Sequence, residues 1–392
     1  MTHPTRVAER VQHFTESVIR EMTRLNAIYG GINLSQGFPD FPAPEALKEA
    51  AVKAIRDDIN QYAVTWGAPN FRRAIADKYG WFNGLNIDPD KHVTVTCGAT
   101  EAMISAILAT LNPGDKFIVL QPFYENYWPD GMISGAQPIF VTLRPPDFRW
   151  DEQELRAAFA QGARAIIINN PNNPTGRVLT RQELQFLADL CIQHDALAYT
   201  DEIYEHILYD GREHISLATL PGMFERTITI SGVSKTYSVT GWRIGYCIAH
   251  ETISNAIRKV HDFLTVGAPA PLQEAAAIAL KFPRSYYDQL RVDYTRRREL
   301  MLSALRDAGF TFNPIEGAYY VMTDFSAFGY KHDVEFAQYL VKEIGVACVP
   351  GSSFYMPPEL GRQQVRFCFP KKDETLIAAG ERLTGLKRTT NS

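Results

Sequence analysis

The chain has 392 residues, 45% of them hydrophobic, enough to bury a large core, and by length one large and one smaller domain are expected. Against 44 acidic residues stand 40 basic ones, a formal net charge of -4 that excludes a global field for nucleic acid or an anionic membrane surface, so any anionic ligand must be held by local groups. The longest apolar runs, such as Ala165 to Ile168 and Ala275 to Leu280, are far too short to cross a bilayer. Within the first thirty residues Arg6, Glu9, Arg10, Glu16, Arg20, Glu21 and Arg24 are interspersed, with no basic start before an apolar signal core, so a cytoplasmic location is expected. Thr15 is placed to cap a helix in which Phe14, Val18, Met22 and Leu25 share one face and which Gly30-Gly31 end. Short strand-like runs then alternate with helix-length segments: Val93 to Cys97, Phe117 to Gln121, Pro138 to Leu143, Ala165 to Asn170, Ala196 to Asp201, Thr227 to Ser231 and Ile244 to Ala249. That rhythm predicts an α/β domain with a mainly parallel sheet flanked by helices. Around Lys281-Phe282-Pro283 the pattern changes to a long helix, Arg284 to Ala308, followed by short strands at Ala318 to Thr323, Val346 to Val349 and Val365 to Phe369, a smaller α+β domain. The polar end, Arg388 to Ser392, is expected to fray. Cys97, Cys191, Cys247, Cys348 and Cys368 are odd in number, widely spaced and set in apolar runs, as reduced core residues are; Cys97 and Cys247 lie near the motifs below but have no basic neighbour to make a thiolate.

In an open α/β sheet ligands collect beyond the carboxyl ends of the strands, so polar residues just after strand-like runs are the candidates for chemistry. Lys235 follows such a run in Ser231-Gly232-Val233-Ser234-Lys235, a small-residue loop that holds an amine away from bulk water and makes it a nucleophile toward an aldehyde; a lone loop lysine is otherwise a solvated surface charge. Asp201 ends the run Ala196 to Tyr199, where a carboxylate either caps a helix or pairs with a protonated ring nitrogen, and Tyr204 shares its face. Asn172-Asn173-Pro174-Thr175-Gly176 is a turn that aims an amide side chain. Gly98-Ala99-Thr100 opens a helix from Glu101 to Thr110 and offers free backbone N–H groups to a phosphate, although many such turns bind nothing. Arg243 in Gly241-Trp242-Arg243-Ile244-Gly245 and Arg366 in Val365-Arg366-Phe367 suit a phosphate and a carboxylate respectively; Arg366 alternates with apolar neighbours, as a surface arginine also would. Tyr124, after another run, is placed either to stack on a ring or to pack in the core. His194, His206, His214 and His261 show no ligand spacing, so no metal site is expected.

Taken together, Asn173-Pro174-Thr175-Gly176, Asp201-Glu202-Ile203-Tyr204, Ser234-Lys235 and Gly241-Trp242-Arg243-Ile244-Gly245-Tyr246 resemble the class I/II aminotransferases of fold type I, from about Asn33-Leu34-Ser35-Gln36-Gly37 to Arg366. The nearest likeness is to the branch of kynurenine aminotransferase, glutamine transaminase K and cysteine-S-conjugate β-lyase, with Asn60-Gln61-Tyr62, Pro122-Phe123-Tyr124, Val260-His261 and Arg366-Phe367-Cys368-Phe369 as further signs. The resemblance implies an N-terminal arm (residues 1–40) that joins the smaller domain, a large domain (41–283) that binds pyridoxal 5'-phosphate, and a small C-terminal domain (284–392). It also implies amino-group transfer between an L-amino acid and a 2-oxo acid in a homodimer with shared active sites. Lys235 would join the cofactor covalently and later carry the substrate Cα proton, Asp201 would pair with the pyridine nitrogen, and Asn173 and Tyr204 would contact the ring oxygen while Tyr124 stacks. The phosphate would be held by the turn Gly98-Ala99-Thr100, by Arg243 and by Tyr62 of the second subunit, and the substrate carboxylate by Arg366, Asn173 and the Gly37 backbone. Gly232 stands where the family often has a phosphate-binding serine, so Ser231 or Ser234 is expected to substitute. At Ile19, Thr100, Val266 and Gly267 the aromatic cage of kynurenine aminotransferases looks thinned, and no second arginine is placed by motif. A broad preference for neutral or aromatic side chains over dicarboxylic ones follows, with β-elimination from cysteine conjugates or aspartate transamination as alternatives. A cofactor-sensing regulator would need a winged-helix segment that the short arm does not accommodate.

Overall fold

The computed structural model describes residues 6–12, 14 and 16–386. In chain order the main elements are α1 (Val18–Tyr29), β1 (Ile32–Asn33), α2 (Glu45–Arg56), α3 (Pro69–Asn83), β2 (Val93–Thr96), α4 (Ala99–Thr110), β3 (Lys116–Gln121), α5 (Tyr127–Ser134), β4 (Gln137–Thr142), α6 (Glu152–Ala160), β5 (Ala163–Asn169) and α7 (Arg181–Gln193). There follow β6 (Leu197–Asp201), β7 (Thr227–Gly232), β8 (Gly245–Ile248), α8 (Glu251–Thr265), α9 (Ala270–Ala279), α10 (Arg284–Ala308), β9 (Thr311–Phe312), β10 (Tyr320–Asp324), α11 (Asp333–Tyr339), β11 (Val346–Ala347), β12 (Val349–Pro350), β13 (Gln364–Cys368) and α12 (Asp373–Leu383).

The seven runs read as strands form one sheet in the order β2-β8-β7-β6-β5-β3-β4. Only β8 runs against its neighbours; β7, β6, β5, β3 and β4 pair in parallel. Helices cover both faces of such a sheet, so its central strands need apolar side chains on both sides. Ile166, Ile167 and Ile168 of β5 accordingly enter two different cores, Ile166 and Ile168 one and Ile167 the other, all buried. Each such side chain contributes about 2 kcal/mol by leaving water. A second, antiparallel sheet orders β12-β13-β10-β9, and β1 pairs in parallel with β11, which ties the N-terminal segment to the C-terminal one.

Several local expectations change. Ser17, not Thr15, caps α1, its hydroxyl accepting from the Arg20 N–H at 3.4 Å, and Thr15 lies outside the described residues, as does the Arg388–Ser392 end. Gly30 closes α1 with φ +62°, a left-handed conformation open to a residue without Cβ. The single strand expected at 346–349 is two short ones in different sheets, with Cys348 between them. The strand expected from Ala318 begins at Tyr320, because Ala318 has φ +55°. Among the described residues no helix is long and apolar enough to cross a membrane. All five cysteines are free; burial pushes the Cys247 thiol up to about 12 and raises that of Cys97, so neither is poised as a thiolate.

Candidate active site

Parallel strands place all their carboxyl ends on one edge of the sheet, and there a cleft of about 480 Å³ opens toward the second sheet. Asp201 is the last residue of β6, Asn173 follows β5, Lys235 follows β7, Gly98 follows β2 and Tyr124 follows β3. Arg243 precedes β8, whose reversed direction brings its amino end to the same edge. From the second sheet β13 contributes Arg366. All of these except Gly98 line the cleft, together with Gly37, Ala99, Thr100, Tyr204 and Ser234.

At the floor, Asp201 is buried; its Oδ2 accepts from the Tyr127 hydroxyl at 2.7 Å and its Oδ1 from the Ile203 N–H at 3.3 Å. Burial raises its pKa, opposed by Tyr127, the Ile203 N–H and the charge of Lys235. No ion-pair partner approaches Asp201 within 4 Å among the described residues. The Lys235 Nζ donates to the Gly37 carbonyl at 3.1 Å and lies 5.9 Å and 5.7 Å from the ring centres of Tyr204 and Tyr319. Burial pushes the Lys235 amine down to about 8; the negative charge of Asp201 opposes this, and Arg243 and Arg366 add to it. Near pH 8 a sizeable fraction of this amine is free base, unlike a surface lysine.

At one end, Arg366 is only 1% exposed. Its Nη1 donates to Asn173 Oδ1 at 2.9 Å, its Nη2 to the Ser35 carbonyl at 2.6 Å, and its guanidinium packs over Tyr320 and Phe354. Its Nε is buried without a partner, a donor still to be satisfied. The alternation along β13 was compatible with a surface arginine; instead both faces of that strand are buried and Arg366 is a core residue turned to the cleft. Tyr320 Oη also meets Tyr204 Oη at 3.0 Å, joining the two sheets' side chains.

At the other end, Gly98 takes φ +84° and caps α4, and a Cβ there would collide with the guanidinium of Arg243. The absence of that carbon lets the Arg243 guanidinium approach the turn, so that it and the N–H groups that open α4 can serve one anion. Arg243 itself has a left-handed φ of +56°, a strain of roughly 1 kcal/mol or more that the surrounding turn sustains. Beneath the turn, Glu101 accepts from the Cys97 N–H, His261 Nδ1 (2.6 Å) and Thr265 Oγ1 (2.8 Å), which fixes α4 to α8. Of the two serines considered at Gly232, Ser231 is ruled out: its hydroxyl donates to Glu205 Oε1 at 2.9 Å, away from the cleft. Ser234 does line the cleft. Gly232 is required by packing, since a Cβ would lie 2.8 Å from the Ile244 carbonyl.

Tyr62 is 86% exposed and does not line this chain's cleft. Ile19 and Thr100 do; Val266 and Gly267 do not. Motif reading missed Tyr127, Tyr320, Asp130 and Arg20, all of which line the cleft. Only Tyr127 left a trace in the sequence, one helical turn beyond Tyr124. Arg20, which no motif placed, is a further arginine on the cleft wall. Glu202, Glu205 and His214 offer ligand atoms within 4.8 Å of one another, but Lys78, Ser216 and Ser231 already bond to the two carboxylates.

Residues 29–383 match the family "Aminotransferase class I and II". The chain is 38% identical over 370 residues to methionine aminotransferase of Escherichia coli (strain K12), covering 94% of this chain and 96% of that one. It is 35% identical over 396 residues to kynurenine–oxoglutarate transaminase 1 of Homo sapiens, covering 93% and 94%. The structure of N-succinyldiaminopimelate aminotransferase from Mycobacterium tuberculosis superposes with a TM-score of 0.95 at 36% identity, covering 97% of this chain and 100% of that one.

Proposed function

This chain belongs to the class I and II aminotransferases, and from that premise we propose that the cleft's charged residues each serve one part of amino-group transfer between an amino acid and a 2-oxo acid. Family membership implies a pyridoxal-phosphate mechanism, and three unmet demands of the cleft suit that cofactor. Asp201 is a buried carboxylate without an ion-pair partner, which suits a protonated ring nitrogen. The Gly98–Arg243 cradle suits a phosphate. Lys235 offers a half-buried amine, held down to about 8, to an aldehyde. When bound, the cofactor supplies an electron sink for the charge developing at the substrate Cα.

The remaining work falls to side chains. Arg366, with Asn173 fixing one arm of its fork, takes the substrate carboxylate, and the carboxylate's position directs the Cα–H toward Lys235. Lys235 Nζ, held by the Gly37 carbonyl, takes that proton and returns it, as its lowered pKa allows near neutrality. Tyr127 and the Ile203 N–H keep the Asp201 carboxylate oriented, while Tyr124 would stack on the cofactor ring and Asn173 and Tyr204 would contact its oxygen. Tyr62 reaches the phosphate of a second subunit, which makes the active unit a homodimer; its 86% exposure in the single chain supports this. A cytoplasmic location completes the reading, supported by five free cysteines.

The observation that carries the proposal is the convergence of Lys235, Asp201, Arg366 and Arg243 on one cleft from four separate segments. Donors with neutral side chains, methionine, glutamine, phenylalanine and kynurenine among them, are expected to react comparably, because Ile19 and Thr100 leave the pocket open. The absorbance change of the cofactor-loaded protein on addition of each amino acid tests this; no change with any of them would refute it.

A further inference from the structure

His261 on α8 is fully buried, and amino-group transfer as set out above gives it no task. Its two ring nitrogens meet different elements: Nδ1 meets Glu101 Oε1 of α4 at 2.6 Å, and Nε2 meets the Thr65 carbonyl at 2.9 Å, on the segment that follows Tyr62. A carbonyl oxygen only accepts. Glu101 also takes hydrogen bonds from the Cys97 N–H and the Thr265 hydroxyl, so it too faces the ring as an acceptor. A neutral imidazole has one N–H and satisfies one of these two acceptors, whereas an imidazolium satisfies both. Burial opposes that charge, but the hydrogen bond and charge of Glu101 outweigh it, and the His261 pKa is raised. The surrounding groups do not disturb the pair. Asp262, beside His261 on α8, favours the imidazolium and accepts from the Thr65 hydroxyl at 3.3 Å. Cys97 before α4 and Cys247 in β8 are kept as thiols, chiefly by burial. The cations nearby are occupied elsewhere: Arg258 of α8 and Arg72 of α3 lie 5.2 Å and 5.9 Å from the Trp66 ring, and Arg243 faces Gly98.

We propose that His261 is a positioning residue for the cofactor phosphate: as an imidazolium it clamps the Thr65 carbonyl to Glu101 in the first turn of α4, and so holds Tyr62 where it reaches the second subunit's phosphate. This rests on the reading of Tyr62 as the residue that crosses between subunits. When the pair loses its proton, the remaining N–H stays with the carboxylate, the stronger acceptor, and the Thr65 bond is the one that opens. The sign follows from the raised pKa. The clamp is complete below the ordinary histidine range and is lost as pH rises through the raised value, so the contribution of Tyr62 to holding the cofactor falls on the alkaline side.

The test follows the rate at which pyridoxal phosphate leaves the cofactor-loaded protein on dialysis, read from its absorbance, in the unaltered chain, Tyr62→Ala, His261→Gln and the double variant. At about pH 6, Tyr62→Ala is expected to speed the loss about tenfold, the size of one charge-assisted hydrogen bond. His261→Gln should give most of that acceleration, and should add less than about twofold when Tyr62 is already alanine. Between about pH 6 and about pH 9.5 the rate ratio of Tyr62→Ala to the unaltered chain should fall toward one, the titration of Lys235 cancelling because both proteins share it. Glu101→Gln, which withdraws the countercharge, should move that fall to lower pH. A ratio that stays constant over the whole range, or an equal acceleration by His261→Gln with and without Tyr62, overturns the assignment of His261 and leaves Tyr62 in place. Should His261→Gln not fold, the pH dependence of the ratio decides alone. If Tyr62→Ala retains the cofactor as firmly as the unaltered chain at about pH 6, the reading of Tyr62 is wrong and the assignment of His261 falls with it.

Discussion

Asp201 carries two hydrogen bonds, from Tyr127 and the Ile203 N–H, that fix its direction without neutralising it, which is the state a carboxylate needs if its task is to hold a proton on a neighbouring ring. Asp201→Ala is expected to lower turnover by several powers of ten, each tenfold being about 1.4 kcal/mol of barrier, with the fold retained. Tyr127→Phe removes one hydrogen bond and should cost roughly tenfold; equal losses from the two variants, measured as kcat with methionine, would show that Asp201 acts only as a structural partner of Tyr127. Asp130 is the other buried acid of the cleft, and its Oδ2 has no hydrogen-bond partner. Its pKa rises from the ordinary carboxylate range to about 8 on folding, so the favourable contribution of its proton is complete below that range, declines as pH rises and is gone above about 8. Asp130→Asn, which cannot ionise, should therefore stabilise the cofactor-free protein by several kcal/mol at pH 8 and by well under about 1 kcal/mol at pH 4 in urea unfolding. A gain independent of pH would contradict this.

The contact between β8 and the turn before α4 is where two elements set one binding geometry. Gly245 in β8 faces Gly98 and Ala99 so closely that a Cβ would collide with their backbone atoms. Gly245→Ala is expected to push the turn out of place, costing about 1–3 kcal/mol of stability and weakening cofactor retention by at least tenfold, read from the loss of cofactor absorbance on dialysis. Undiminished retention would show that the turn does not hold the phosphate. The strands of this sheet were legible because each is a short apolar run bounded by turn residues, and α10 because its boundaries at Pro283 and Gly309 are marked in the sequence. The cap of α1 was not: Thr15 and Ser17 are both capping residues two positions apart, and spacing does not choose between them. Nor was the burial of Arg366, because alternation along β13 describes its two faces but not that Ser35, Asn173, Tyr320 and Phe354 close over the guanidinium. Ser231 turned away for a similar reason, its partner Glu205 being set by the fold and not by the neighbouring sequence.

Across the whole molecule the same limit applies to the cleft. Its motif residues were legible one at a time, from their places after strands, whereas Tyr127 meets Asp201 across 74 positions and Arg20 enters from the N-terminal helix, contacts that only the closed fold creates. The surface carries a related message: Tyr62 (86% exposed) and Phe263 (92% exposed) lie on segments joined by the hydrogen bond between His261 Nε2 and the Thr65 carbonyl (2.9 Å). Exposed aromatic side chains of this size are suited to an interface between subunits. Sedimentation at assay concentration should give the mass of two chains, and Tyr62→Ala should weaken cofactor retention although Tyr62 does not line its own chain's cleft; a fully active monomer would contradict both. Everything in this account depends on Lys235 being the residue that bears the cofactor. Borohydride reduction of the cofactor-loaded protein followed by peptide mapping addresses that directly: the reduced adduct is expected on the peptide containing Lys235, and an adduct on Lys78 or any other lysine, or none at all in fully loaded protein, would contradict it.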